Sequence, residues 1–330
     1  MLAYRLKFKS ALHVESKGSG SPDTAQEFVH SDTLSAAICA SWPNVFPGTA
    51  PDFFADPGFV VSSAMPWIKD ILFFPVPRFR IWNETRPADK KDIKKICWIS
   101  GAVLEHVLRG QMLDSAEVRM KGQFAFSPEE DRVEEVINVG AWKMLERQRV
   151  SVDRLGGQSE AGTFFFAQQH FHPECGLYFL AEVAESTRFE AVLEFLGDTG
   201  LGADRSSGLG CFHILEIADP GIKLPATASG WFTLSLFNPG QEDDISAVIR
   251  QSAYSLLSRS GWITGTGVGR PPIKAFSEGS FFGTRPVGRI VKVVDNDLIS
   301  RFGLPLSNPV YRDLRAFSVP CVTPSWIKEA

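Results

Sequence analysis

Apolar and polar side chains alternate over residues 3–9 (AYRLKFK), which predicts a strand with one buried face. A polar, Gly/Ser-rich stretch follows at 16–23. Ser31 or Asp32 then stands as N-cap of a helix over TLSAAICASW, ended by Pro43. The apolar run FFPVPRFRIW (73–82) contains Pro75 and Pro77, which donate nothing to a ladder, so it reads as an edge strand or extended segment. Residues 90–98 and 101–108 read as short connecting elements. The charged, irregular stretch 110–150 reads as an insertion, with a protruding hairpin.

Two strand-like runs, 163–171 and 177–183, flank HPECG and read as a hairpin. A helix is predicted over 187–196, a glycine loop over 197–210 and a strand over 211–217. The order is βαββαβ, the ferredoxin-like split unit. Residues 219–230, rich in Pro, Gly and Ala, form a linker, after which the pattern restarts. A strand at 231–237, a helix at 243–259, a Gly/Pro-rich loop at 261–274, strands at 280–282 and 289–294 and a closing segment at 310–321 make a shorter unit. The predicted class is α+β with two ferredoxin-like (RRM-like, βαββαβ) domains. The first covers 1–218, with an insertion or thumb at about 84–150; the second, abbreviated, covers 219–330.

Composition adds little to that picture and charge adds more. With 330 residues, 44% of them hydrophobic and 22% charged, the chain suits two soluble globular domains. No apolar run approaches a membrane span, and the N-terminus lacks the apolar core of a signal peptide. Five scattered cysteines without a CxxC read as reduced thiols of a cytoplasmic protein. The net charge is −4, but the residues from Arg250 onward carry eleven basic and five acidic side chains, leaving the rest strongly acidic. A chain so divided can meet a polyanion on one side and protein on another.

The densest chemistry lies in LGDTGLGADRSSGLGCF, residues 196–212. Its order, helix then glycine loop then strand, is the reverse of a dinucleotide fingerprint, and Arg205 stands where GxGxxG requires glycine. A Rossmann cradle is excluded. The backbone at Gly200, Gly202 and Gly208, the hydroxyls of Ser206 and Ser207 and the Arg205 guanidinium suit an irregular polyanion; an ordinary flexible loop is the alternative.

Other candidates carry two readings each. His30, Ser31 and Asp32 at a helix start offer phosphate or 2′-hydroxyl contacts, or His30 as a general base in RNA cleavage; N-capping is the alternative. Arg147, Arg149 and Arg154 flank a strand-like stretch and can meet phosphates or neighbouring acids. Lys274, Gly279 and Ser280 in KAFSEGSFF suit a base or phosphate contact, or simply a tight turn. His170 and His172 near Cys175 read as a hairpin tip rather than a metal site. No GxSxG, HExxH, P-loop or triad pattern occurs, and neither cofactor nor metal is expected.

Taken in order, HSDTLSAAI, FFPVPRF, DIKKICWIS, RVSVDRLGGQSEAGTFF, the glycine loop, SLFNPG and KAFSEGSFF resemble the RAMP superfamily of CRISPR RNA-binding proteins. Within it the chain resembles the type III-A subunit that caps the 5′ end of crRNA. That resemblance implies a non-catalytic scaffold gripping the repeat-derived 5′ tag. It implies two protein partners, the large polymerase/cyclase subunit and a backbone RAMP subunit, and a thumb close to target RNA. Residues 200–210 would hold the tag, with Arg205 on a phosphate. A metal-independent RAMP endoribonuclease, with His30 as base, is the competing reading.

Overall fold

Strand β1 (Leu2–Phe8) follows from its alternation: Tyr4 and Leu6 enter one core, Ala3 another. In the computed structural model, which describes residues 1–15, 22–83, 90–150, 162–263, 266–306 and 308–327, helix α1 (Ser31–Val45) comes next. Leu34, Ile38 and Trp42 recur at helical spacing and form its buried stripe. Pro43 lies inside the last turn rather than ending the helix. Neither Ser31 nor Asp32 caps it. His30 is the N-cap residue, with no side-chain bond to the helix's N–H groups, and the Ser31 N–H donates to the Ser63 hydroxyl at 2.9 Å.

Three strands follow: β2 (Phe59–Val61), β3 (Met65–Ile68) and β4 (Ile71–Pro75). Strand β4 is not an edge, because it pairs with β3 and with β5 (Trp98–Ser100); Pro75 is tolerated as its last residue and Pro77 lies beyond it. Between them sits the single turn α2 (Lys90–Ile93), and after them α3 (Gly101–Leu108), capped by Ser100. Strands β6 (Arg119–Lys121) and β7 (Phe124–Phe126) and helix α4 (Glu134–Val139) then add Phe124, Phe126, Val133 and Val136 to the core. Most of the expected insertion is therefore packed structure.

What stands out is a two-stranded ribbon, β8 (Trp142–Val150) with β9 (Thr163–Phe171). The expected hairpin of β9 with β10 (Cys175–Val183) does not form, since both edges of β10 are taken, by β1 on one side and by β2 and β3 on the other. Helix α5 (Ser186–Thr199), the glycine loop and β11 (Phe212–Ala218) complete this half. The sheet runs β11-β1-β10-β3-β4-β5-β7-β6. Taking β1, β3, β10 and β11 as first to fourth, its left part reads 4-1-3-2. Leu34, Ile38 and Trp42 of α1 and Phe189, Val192 and Leu196 of α5 cover one face, against Leu177 and Phe179.

The opposite face meets the C-terminal part: Tyr178 and Leu180 share one core with Phe232, Leu234, Phe281 and Phe317. Burial on both faces explains why β10 is apolar almost throughout. The C-terminal strands are β12 (Gly230–Thr233), β13 (Ser252–Ala253), β14 (Leu256–Arg259), β15 (Trp262–Ile263), β16 (Val268–Gly269), β17 (Ile273–Phe276), β18 (Phe281–Phe282), β19 (Gly288–Val294), β20 (Val310–Arg315) and β21 (Ser318–Cys321). Helices α6 (Ile245–Arg250) and α7 (Asn296–Phe302) lie among them. The helix expected over 243–259 stops at Arg250 because the following residues pair as strands: β13 with β18, and β14 with β17. A four-stranded sheet runs β13-β18-β12-β21. With β12, β13, β18 and β21 as first to fourth, that is again 4-1-3-2, read from the other end.

Candidate nucleic-acid interface

The glycine loop closes on itself before it can offer anything to a ligand. Gly200, Gly202, Gly208 and Gly210 all have positive φ, and Asp204 is left-handed as well. A Cβ on Gly200, Gly202 or Gly210 would collide with the carbonyl oxygen of Leu209, His13 or Leu201 respectively. The N–H of Leu201 donates to Gly210 O at 3.0 Å, that of Gly210 to Ala11 O at 2.8 Å and that of Ala203 to His13 O at 2.9 Å. Ser207 and Gly208 donate back to Asp204 and Arg205. These five amides are spent on closing the loop and fastening it to residues 11–13. What it presents is a tight turn bearing the exposed Arg205, Ser206 and Ser207. The Ser207 hydroxyl donates to Asp204 at 3.1 Å.

Facing this turn across an open groove of about 920 Å³ are residues from three distant parts of the chain. Asp32, Thr33, Ala36, Ala37 and Ala40 of α1 line it, with Arg259, Ser260, Trp262, Arg270 and Arg312. Asp32 is buried at the centre of a guanidinium cluster. Arg259 holds it with two donors, Nε and Nη2, each at 3.0 Å, and Arg312 Nη1 donates to its Oδ2. Burial alone would raise the Asp32 carboxyl, but the charges of Arg259 and Arg312 outweigh it and hold the group well below the usual carboxylate range. Arg270 donates to the Trp262 carbonyl at 3.1 Å. Burial, reinforced by the neighbouring guanidiniums, lowers Arg270 and Arg312, with Asp32 pulling the other way.

The sequence candidates separate against this geometry. Gly200 does not line the groove, whereas Gly202, Arg205, Ser206, Gly208 and Asp32 do. Ser207 is exposed on the same turn. His30 and Ser31 are buried beneath it. His30 is 4% exposed, and its Nδ1 donates to Glu278 Oε1 at 2.6 Å while the Gln26 amide reaches Nε2 at 3.2 Å. Burial pushes the Glu278 carboxyl up, but His30 and the Ser63 hydroxyl bring it below its ordinary value. Both ring nitrogens being engaged, His30 has no open edge for a ligand or a scissile 2′-hydroxyl. The Ser31 hydroxyl accepts the Leu236 N–H at 3.0 Å, tying α1 to the C-terminal part.

Gly279 and Ser280 are also structural. Gly279 has φ +81°, its N–H donates to Thr233 O, and a Cβ there would strike the Val76 carbonyl. Ser280 is fully buried, with its hydroxyl on Ser277 O at 2.6 Å. This turn needs glycine for its close packing against Val76. Lys274 is exposed on β17, outside the groove. Arg149 pairs with Asp204 and lies over the Phe166 ring, fastening the ribbon to the glycine loop, while Arg147 is exposed on the ribbon. Arg154 falls outside the described residues. His172 Nδ1 accepts the Glu174 N–H at 3.2 Å, and no group of three metal-ligating side chains occurs among the described residues. Among them too, no helix is long and apolar enough to cross a membrane.

Arg259, Arg270, Arg312 and Trp262 were not singled out by motif. The only signal for them was the excess of basic residues after Arg250.

Comparison with known proteins bears on the whole arrangement. Residues 226–321 match the family described as the CRISPR Csm4 C-terminal domain. A Csm4 protein of Mycobacterium tuberculosis is 23% identical over 239 residues, covering 71% of this chain and 72% of the relative. The fold resembles a chain of the solved Csm3–Csm4 subcomplex of the type III-A interference complex, at TM-score 0.66 and 18% identity, over 97% of this chain and 98% of that one. It also resembles a chain of the Csm1–Csm4 cassette solved with cA4, at TM-score 0.56 and 18% identity, over 98% of both. The resemblance carried by the sequence motifs is thus joined by a match of residues 226–321 to the Csm4 C-terminal domain and by a fold shared, over almost the whole chain, with chains of solved type III-A assemblies.

Proposed function

We propose that this protein is an RNA-binding structural subunit of a type III CRISPR interference complex, holding the 5′ repeat-derived tag of crRNA in the groove between the glycine loop and the arginine cluster. It bridges the large polymerase/cyclase subunit and a backbone RAMP subunit. The solved Csm1–Csm4 and Csm3–Csm4 assemblies of its structural relatives support both contacts. The repeated 4-1-3-2 strand order supports two ferredoxin-like units as the underlying frame.

The observation that carries the RNA reading is the meeting of Arg205 with Arg259, Arg270 and Arg312 in one open groove of an otherwise acidic chain. Guanidiniums grip phosphates without reading sequence, so they fix the strand's path. The exposed ribbon of β8 and β9, carrying Leu145, Arg147 and Phe165, is the element that fits a thumb against the guide–target duplex. The burial of His30 gives no support to a nuclease using it as base.

The test is Arg205→Glu in the assembled complex. RNA affinity should fall at least about tenfold, and the dependence of log affinity on log salt should flatten by at least about one unit. An RNA content and salt dependence equal to the parent complex would remove the groove from the RNA path.

A further inference from the structure

The arginine wall of the groove has more charge than its own carboxylate can balance. Asp32 supplies one negative charge to Arg259 and Arg312, and Arg270 stands beside them. Arg312 is 2% exposed, yet its Nε has no hydrogen-bond partner among the described residues. A buried donor left unpaired is destabilising unless something accepts from it.

Two of the other acids of the groove are held by cations outside this wall. Asp204 is paired with Arg149, Asp198 lies 3.7 Å from Lys9 Nζ, and Glu15 also lines the groove. Asp32 and the three guanidiniums by themselves carry net positive charge, with Arg312 Nε unpaired among the described residues.

In the same groove lies a half-exposed aromatic ring. Trp262 is 51% exposed, lines the same groove, and is joined through its carbonyl to the Arg270 guanidinium. The strip of Ala36, Ala37 and Ala40 on α1 leaves room next to it. A large exposed indole beside guanidiniums is the combination that seats a nucleobase and its phosphate together.

We propose that Arg259, Arg270 and Arg312, gathered on Asp32, and the Trp262 ring form a one-nucleotide subsite, taking a phosphodiester on the guanidiniums and a single-stranded base on the indole. This deepens the RNA reading above and rests on it. Asp32 is a positioning residue here: it fixes the fork of Arg259 and holds Arg312 at the groove's lining without touching RNA. The subsite anchors one nucleotide at a set place along the groove, whereas Arg205 on the opposite wall meets the strand at another phosphate.

The experiment uses the full chain and a 5′-fluorescein single-stranded RNA of about ten nucleotides, a length suited to one such groove. Anisotropy and indole emission are read together at several salt concentrations. Trp262→Ala should weaken binding on the order of tenfold, and Trp262→Phe should restore most of it while losing part of the RNA-dependent quenching of indole emission. Arg270→Gln should weaken binding and flatten the salt dependence by about one unit. If both variants bind as the parent does while Arg205→Glu fails to bind, the subsite is wrong and the RNA reading stands. If the parent chain binds no RNA, alone or in its assembled complex, both fall. Saturable binding of adenosine monophosphate that competes fully with the RNA would instead mark a mononucleotide pocket and overturn the strand reading.

Discussion

Asp32→Asn will lower the unfolding free energy by about 3–5 kcal/mol, the usual consequence of removing one partner from a buried ion pair. The wild-type carboxylate accepts from Arg259 and Arg312 at a position only 3% exposed. Asparagine keeps one acceptor and aims an N–H₂ at a guanidinium, so two buried cations lose their counter-charge. For a chain of this size the melting temperature should fall by about 4–7 °C. A urea midpoint equal to the wild type would show that water reaches the cluster and screens its charges.

The same residue sets the acid behaviour. Burial alone would raise Asp32, yet Arg259 and Arg312 hold it below its ordinary value. A carboxylate whose folded pKa lies below its unfolded value near 4 contributes stability that is complete above that value and is lost as pH falls through and below it. The wild type should therefore weaken progressively below about pH 5. Asp32→Asn should show a shallower slope there, keeping the parts due to Glu278, which His30 and Ser63 lower against the opposing effect of its burial, and to Asp70, lowered by its hydrogen bond to Arg132. Parallel slopes for the two proteins would assign the acid sensitivity elsewhere.

Gly210→Ala should be nearly as damaging, through geometry instead of charge. Gly210 has φ +75°, and a Cβ there would overlap the carbonyl oxygen of Leu201, whose N–H closes the loop on Gly210 O. Left-handed backbone costs an alanine about 1–2 kcal/mol, and the collision adds about 1–3 more. Gly208 is the control: its φ is +80°, but nothing lies within 4 Å of the place its Cβ would take, so Gly208→Ala should carry the backbone cost alone. The Gly210 variant should also lose RNA affinity, since Leu201 and Gly210 hold the turn that carries Arg205. Equal destabilisation by the two substitutions would mean that close approach does not matter at this loop.

The fold was legible wherever a short stretch had to satisfy one buried face. β1, α5 and β11 were readable because apolar residues recur at the period of the element that buries them. Pairing was less legible, because a strand pattern names a face and not a neighbour. TFFFAQQHF was correctly a strand, but its partner is β8, since the edges of β10 were already occupied. The stretch after Arg250 satisfied a helical spacing as well as an alternating one, and pairing with β17 and β18 decided between them.

The candidate site divides in the same way. Local sequence sufficed to mark the glycine loop, because clustered glycines express positive φ and close backbone contact within a dozen residues. It also marked His30, Ser31 and Asp32 as special, without distinguishing those that are buried from the one that lines the groove. That distinction depends on what packs over them: Glu278 on His30, Leu236 on Ser31, and Arg259 and Arg312 on Asp32. The two arginines stand 227 and 280 residues from Asp32 along the chain. Charge attracts across space and leaves no periodic trace in sequence, so only folding the C-terminal part onto α1 could bring this cluster, and the groove it lines, into being.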